Sequence, residues 1–186
     1  SYIIDVSRGE VKAARSFPSF LLCISLFHQL VAGPIVRYVH IADEIESRTF
    51  SWNDFASGVD RFCTGLAKKV LLANAAGEAA RPFLDGNPDQ LSILGAWWGI
   101  FLFSFQIYFD FSGYSDMAIG MGRMFGFHYH ENFNYPYIAR SATDFWRRWH
   151  ISLGTFFRDY LYIPLGGNRQ KVRMFFNLFL VWFLTG

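Results

Sequence analysis

Two stretches of the chain run for about the twenty residues a helix needs to cross a hydrocarbon core without meeting a charged side chain. Residues 16–36 read SFPSFLLCISLFHQLVAGPIV and residues 90–109 read QLSILGAWWGIFLFSFQIYF. The first is roughened by Pro18, His28, Gln29 and the Gly33-Pro34 pair. A proline near the start fits the first helical turn, whereas Gly33-Pro34 ends or kinks a helix, so a membrane helix with a broken second half is predicted. The second stretch is the clearer span. Trp97 and Trp98 sit mid-run, as packing residues or cavity walls. Helical pattern continues past Phe109 into DFSGYSDMAIGMGRMFGF. There Ala118, Gly122 and Gly126 recur every four residues, as do Ser112, Asp116 and Gly120, a spacing that lets two membrane helices approach closely.

The remaining segments are mixed. Over residues 37–61, Phe50, Trp52, Phe55, Val59 and Phe62 alternate with acidic and basic side chains. Ser51 and Asp54 form an S-x-x-D helix start. Phe55, Val59 and Phe62 then share one face, which predicts an amphipathic helix at the membrane surface. Residues 65–76, GLAKKVLLANAA, are too short and too charged to span alone. Residues 82–88 and 128–136 (HYHENFNYP) read as loops.

The densest chemistry lies in residues 140–173. Ser141 and Asp144 predict a helix start, and Asp144 pairs with Arg148 at i, i+4. A continuous helix would place Trp146, His150 and Leu153 on one face, with Arg147 and Ile151 beside them. His150 would then sit among two tryptophans and two arginines. Burial and neighbouring cations both favour neutral imidazole, the form a general base requires. The plainer reading is a buried hydrogen-bonding histidine that holds a bundle together. Residues 151–157 are too short to span, and Arg158, Asp159 and a Pro-Leu-Gly-Gly-Asn turn follow. A re-entrant helix lining a protein cavity is predicted, because polar irregular backbone is tolerated at membrane depth only there. Arg140, Arg147, Arg148, Arg158, Arg169, Lys171 and Arg173 face only Asp144 and Asp159. The positive-inside rule places this side in the cytoplasm. The same cations could receive the phosphates of a donor such as coenzyme A, or simply contact lipid headgroups.

Composition supports a membrane setting. Of 186 residues 52% are hydrophobic and only 17% charged, against about 25% charged in soluble domains. The mean hydropathy of +0.18 is modest, so polar segments must interrupt the spans. A net charge of +2 gives no argument for nucleic acid. Cys23 and Cys63 form no framework and read as packing residues. His128 and His130 make an H-x-H pair with no third ligand at suitable spacing, so no metal is expected. Asp110 and Asp116 are either helix-end polar residues or members of a polar cavity, since carboxylates at membrane depth are costly. The opening Ser1 and the apolar run that ends the chain lead us to expect an internal fragment of a longer polytopic protein.

The strings QLVAGPIVRY (residues 29–38), YFDFSGYSDMAIGMGRMFGF (108–127), ENFNYPYIARS (131–141) and DFWRRWHISLGTFFRDYLYIPLGGNR (144–169) resemble the membrane-bound O-acyltransferase family. The resemblance covers nearly the whole chain. It implies an all-α polytopic membrane fold, with transmembrane, re-entrant and amphipathic helices around a tunnel. Residues 1–186 would be part of a single membrane domain, truncated at both ends. It implies a multi-pass protein of the bacterial inner membrane that moves acetyl groups across it for O-acetylation of an exopolysaccharide such as alginate. Acetyl-coenzyme A would be the donor, with no bound cofactor. The partners would be membrane lipid, periplasmic acetyltransferase proteins and the polysaccharide acceptor. His150, in the W-H-x-S-L string, is the candidate catalytic residue. Asp110, Tyr114, Asp116, Asn132, Asn134, Trp146, Arg147, Arg148, Trp149, Ser152, Arg158 and Asp159 are candidate cavity-lining or substrate-facing residues. A second family histidine, in a W-H-G string, is expected just past Leu184-Thr185-Gly186, so residues 1–186 alone are expected to be inactive. A transporter is the main alternative, although no second copy of any segment suggests an inverted repeat. A non-catalytic scaffold in a polysaccharide export or modification complex is the other.

Overall fold

In the structure, a computed structural model, residues 1–14, 16–26, 33–87 and 91–185 are described. Among them every regular element is helical and no strand occurs. The helices are α1 (Tyr2–Ser7), α2 (Phe17–Ser25), α3 (Tyr38–Glu46), α4 (Trp52–Ala67), α5 (Asn74–Leu84), α6 (Ile93–Met124), α7 (Ala142–Arg148), α8 (Ile151–Phe157) and α9 (Lys171–Thr185).

Helix α2 starts as the sequence predicts, with Pro18 in its first turn and the Ser16 hydroxyl accepting from the Ser19 N–H. It ends at Ser25 after nine residues, well before Gly33-Pro34, and cannot cross a membrane at that length. The expected His28 and Gln29 positions fall in residues 27–32, outside the described residues.

Helix α4 opens on Ser51, whose hydroxyl accepts from the Asn53 N–H at 3.2 Å. It runs through a π-helical stretch, Lys68–Ala73, directly into α5. The loop expected from Pro82 therefore begins later, at Asp85. Pro82 lies inside the helix, where it removes the N–H bond to the carbonyl four residues earlier. The next residue, Phe83, anchors the turn against Gly99: a Cβ on that glycine would sit 2.7 Å from the Phe83 Cβ.

Helix α6 carries 32 residues, about 48 Å at 1.5 Å per residue. It is the one described helix long and apolar enough to cross a membrane. Only 6% of its most apolar window is buried within the chain. Within the described residues Trp97 and Trp98 are 69% and 53% exposed, and Trp98 stacks on Phe101, centroids 5.5 Å apart.

The C-terminal half of α6 packs antiparallel on α4 along a seam of glycines. A Cβ on Gly58 would lie 2.7 Å from the Gly120 carbonyl oxygen, and one on Gly65 would lie 2.5 Å from that of Gly113. The close approach expected of small residues is present. The pairs that make it include Gly58, Gly65 and Gly113, which were not in the expected rows. Of the Ala118/Gly122/Gly126 row, Gly122 instead accommodates the Tyr129 ring and Gly126 takes φ 77° beneath Arg48. Beside the seam, a small core gathers Leu26, Ile41, Ile119, Phe127 and Tyr129, with Cys23, Val36 and Ile45 packed on it.

Candidate functional site

The local signals of the Trp-Arg-His block are present at its start. The Ser141 hydroxyl accepts from the Asp144 N–H at 3.1 Å, and Arg148 Nε donates to Asp144 Oδ1 at 2.9 Å. That hydrogen bond from Arg148 holds the Asp144 carboxyl below its ordinary range. The single helix expected to run on through His150 is not formed. Helix α7 stops at Arg148, Trp149 is extended, and His150 adopts φ 45°, ψ 56° before α8 begins at Ile151. A left-handed conformation costs a non-glycine residue about 1–2 kcal/mol, and it persists only where the surroundings over-determine it.

The surroundings here are the segment 131–135. The Asn134 N–H donates to the Arg148 carbonyl at 2.9 Å, and the Ile151 N–H donates to the Asn132 carbonyl at 2.9 Å. Between these bonds Trp149 and His150 lie opposite the single residue Phe133. This two-against-one count is that of a β-bulge, which re-aims a side chain. Beyond it, Asn132 Oδ1 accepts from the Ser152 N–H at 3.2 Å and the Ser152 hydroxyl at 2.9 Å. The Ile35 N–H donates to Ser152 Oγ at 3.0 Å.

The break sends the three rings of the block in different directions. Trp146 leaves the His150 face and meets Trp182 of α9, centroids 4.7 Å apart. Trp149 enters an aromatic wall, edge to face with Phe133 at 5.1 Å and stacked on Phe145 at 5.7 Å. His150 lies edge to face with Phe111 of α6 at 4.7 Å. Neither of its ring nitrogens hydrogen-bonds to a described residue. His150 lies outside the spanning helix, and burial pushes its imidazole down to about 4. The arginines expected to share in that shift take no part. Arg147 is exposed, and Arg148 is occupied by Asp144 and the Asn134 carbonyl.

The expected cavity-lining residues separate into groups. Asp116 is buried on α6 and ion-paired to Arg61 at 2.6 Å and Lys68 at 2.5 Å, while Asp110 pairs with Lys69. Arg61 also reaches Glu131. Both aspartates thus clamp α4 and the π-helical stretch to α6. Tyr114 is half-buried on the same helix. Arg158 donates to Asp159 Oδ1 at 2.9 Å. Asp159 joins a second ionic cluster, in which Arg37 meets Asp5 at 3.1 Å, Glu10 at 2.9 Å and Asp159 at 3.1 Å, beneath the Tyr160 ring. Of the expected set, Asn132, Asn134, Trp149 and Ser152 gather at His150; Asp110, Asp116, Trp146, Arg158 and Asp159 are engaged elsewhere.

Ser152 also lines a cavity of about 510 Å³, whose walls include Arg37, His40, Tyr129, His130 and Glu131. His40 and His130 meet edge to face there at 4.7 Å. Burial, with His130 and Arg37 nearby, holds the His40 imidazole below its ordinary value. His128 points elsewhere, its Nδ1 2.8 Å from Glu44 Oε1. Among the described residues no three metal-ligating side chains converge. Asp5, Glu10, Arg37 and His40 were missed by sequence reasoning. Asp5 and Glu10 lie in one segment and Arg37 and His40 in another, and no spacing within either segment signals that they meet.

The model of the MBOAT, membrane-bound O-acyltransferase family matches residues 8–185. The chain belongs to this family. It is 49% identical, over its whole length, to 36% of a Pseudomonas syringae protein named "Probable alginate O-acetylase AlgI". It is 43% identical over 91% of its length to 33% of the Helicobacter pylori peptidoglycan O-acetyltransferase. It is 29% identical over 87% of its length to 41% of the Bacillus subtilis teichoic acid D-alanyltransferase. The chain therefore spans about a third of the length of the acyltransferases it most resembles among these. Membership makes it part of a membrane protein. On this family member, the W-H-x-S-L string is the bulge that carries His150, and the ENFNYP string is the segment that holds the bulge in place.

Proposed function

We propose that the protein carrying this chain is an O-acyltransferase of the inner membrane, crossing it several times and transferring acetyl groups toward hydroxyls of an exopolysaccharide of the alginate type. Acetyl-coenzyme A on the cytoplasmic side is the donor, and periplasmic acetyltransferase proteins complete delivery. One observation carries this reading: the half-buried imidazole of His150, held in a left-handed bulge edge to face with Phe111, with no hydrogen-bond partner among the described residues. An ordinary structural histidine would spend its ring nitrogens on neighbours. An imidazole kept neutral and open suits proton transfer from an acceptor hydroxyl. The hydroxyl oxygen attacks the thioester carbonyl as the imidazole takes its proton. The carbon–sulfur bond then breaks, and the proton passes to the leaving thiolate. The names of the relatives support the acyl-transfer class, and the α7–α8 break supports a re-entrant segment. Arg148 is already committed to Asp144, so steadying of the oxyanion falls to groups other than this arginine.

The test is His150→Ala in the full-length protein, with transfer of labelled acetyl from acetyl-coenzyme A to exopolysaccharide followed in membrane vesicles. A loss of about 100- to 10,000-fold is expected, the range for a general base. Unchanged transfer would remove His150 from the mechanism.

A further inference from the structure

We infer that Asn132 is the positioning residue for His150, tying the bulge that presents the imidazole to the helix that walls it. This rests on the reading of His150 given above.

Asn132 is 1% exposed, and both ends of its amide are hydrogen-bonded. Its Nδ2 donates to Ser115 Oγ at 2.9 Å. Its Oδ1 accepts both the N–H and the hydroxyl of Ser152. Its main-chain carbonyl accepts the Ile151 N–H. One residue thus grips both positions that follow His150. Helix α8 has no cap from its own N-terminal residue, since the His150 side chain makes no capping bond. Asn132 supplies that cap from a distant segment, satisfying an N–H that a helix start leaves open. Ser115, the anchor on the other side, is 2% exposed on α6. Phe111, one turn earlier on α6, is the ring that faces His150. The backbone after His150 and the wall beside its ring are therefore referenced to the same helix through one amide. Without it, the Asn132 main-chain bond to the Ile151 N–H and the Ile35 bond to Ser152 Oγ are what remain on that side, and partial relaxation toward the right-handed region swings the imidazole away.

Asn132→Ala removes the side-chain bonds to Ser152 and Ser115 and leaves the main-chain bond to the Ile151 N–H. Asn132→Asp keeps an acceptor for both Ser152 groups, and the Ser115 hydroxyl can turn to donate. It also places a negative charge near His150, which favours the protonated imidazole. Ser152→Ala removes only one of the bonds to Oδ1. The experiment measures acetyl transfer from acetyl-coenzyme A by the full-length protein in membrane vesicles, for these variants, Asn132→Ala/Ser152→Ala and His150→Ala. Asn132→Ala is expected to lower kcat by about 10- to 100-fold, as a misplaced catalytic group does, with KM for acetyl-coenzyme A within about threefold. The double variant should be little worse than Asn132→Ala, because the two share the contact to Oδ1 and the Ser152 change adds only the loss of the Ile35 N–H acceptor. Asn132→Asp should retain activity, with the acid limb of its kcat profile moved to higher pH. A kcat for Asn132→Ala within threefold of the parent overturns the inference, as does a loss confined to KM. If Asn132→Ala does not fold, Asn132→Asp decides: an unshifted acid limb overturns it. Activity in His150→Ala sinks the acyl-transfer role of that histidine, whereas an inactive His150→Ala beside an active Asn132→Ala sinks only the role of Asn132.

Discussion

Gly58→Ala tests the α4–α6 seam most directly. The added Cβ would lie 2.7 Å from the Gly120 carbonyl oxygen and 2.9 Å from the Met124 main-chain nitrogen. Ordinary van der Waals contact begins at 3.4 Å. Both obstacles are backbone, so no side chain can rotate away and the helices must separate by about 0.7 Å at this point. The same seam carries the Arg61–Asp116 and Lys68–Asp116 pairs at 2.6 and 2.5 Å. Separation lengthens both and weakens the compensation of a buried carboxylate. Overpacking of this kind costs about 1–3 kcal/mol. Alanine returns up to about 1 kcal/mol of helix propensity over glycine, so a net loss of about 2 kcal/mol is expected once the ion pairs are strained. That is a factor of roughly 30 in the folded-to-unfolded ratio. The assay is denaturant unfolding of the full-length protein in detergent, followed by tryptophan fluorescence. Gly154→Ala is the control: the nearest atom to its Cβ would be the Trp146 carbonyl oxygen at 3.9 Å. That substitution should leave the midpoint unchanged or raise it. A Gly58→Ala midpoint equal to that of the parent would refute the packing argument.

Two further outcomes follow from buried charge and backbone strain. Arg37→Met leaves Asp5, which is fully buried, without its cation, and should cost about 3–5 kcal/mol; adding Asp5→Asn should restore much of that, read as expression and unfolding midpoint. His150→Gly removes the left-handed penalty and should raise stability by about 1 kcal/mol while abolishing transfer. The same histidine sets a pH dependence. Its folded value, about 4, lies below the ordinary 6.5, so between these values the unfolded chain binds more protons. Its contribution to stability is complete above pH 6.5 and is lost as pH falls toward 4, a slope that His150→Gly should lack.

Local rules carried the helix starts. Ser51 and Ser141 cap where their spacing indicates, and Asp144 meets Arg148, because each bond spans four residues or fewer. The apolar run after residue 90 likewise announced α6, since composition alone decides whether a helix can enter hydrocarbon. Helical periodicity failed at His150. Nothing in residues 141–157 states that the helix breaks there, because the bonds that hold the break come from Asn132 and Asn134, well upstream. Periodicity also gave Trp146 and His150 a common face that the bulge then destroyed.

The start of the Trp-Arg-His block was thus legible in the sequence through its Ser141 cap and its Asp144–Arg148 pair, and its family strings as those of membrane-bound O-acyltransferases. Which of its residues stand beside the imidazole was decided by tertiary structure alone. Asp110 and Asp116 were drawn to Lys69, Lys68 and Arg61 because a carboxylate on a packed helix is stable only beside a cation. Asp159 was drawn to Arg37 for the same reason. Helix identity depends on side chains within a turn of one another, which a sequence displays. The conformation of His150 depends on hydrogen bonds between segments about twenty residues apart, which only the folded chain brings together.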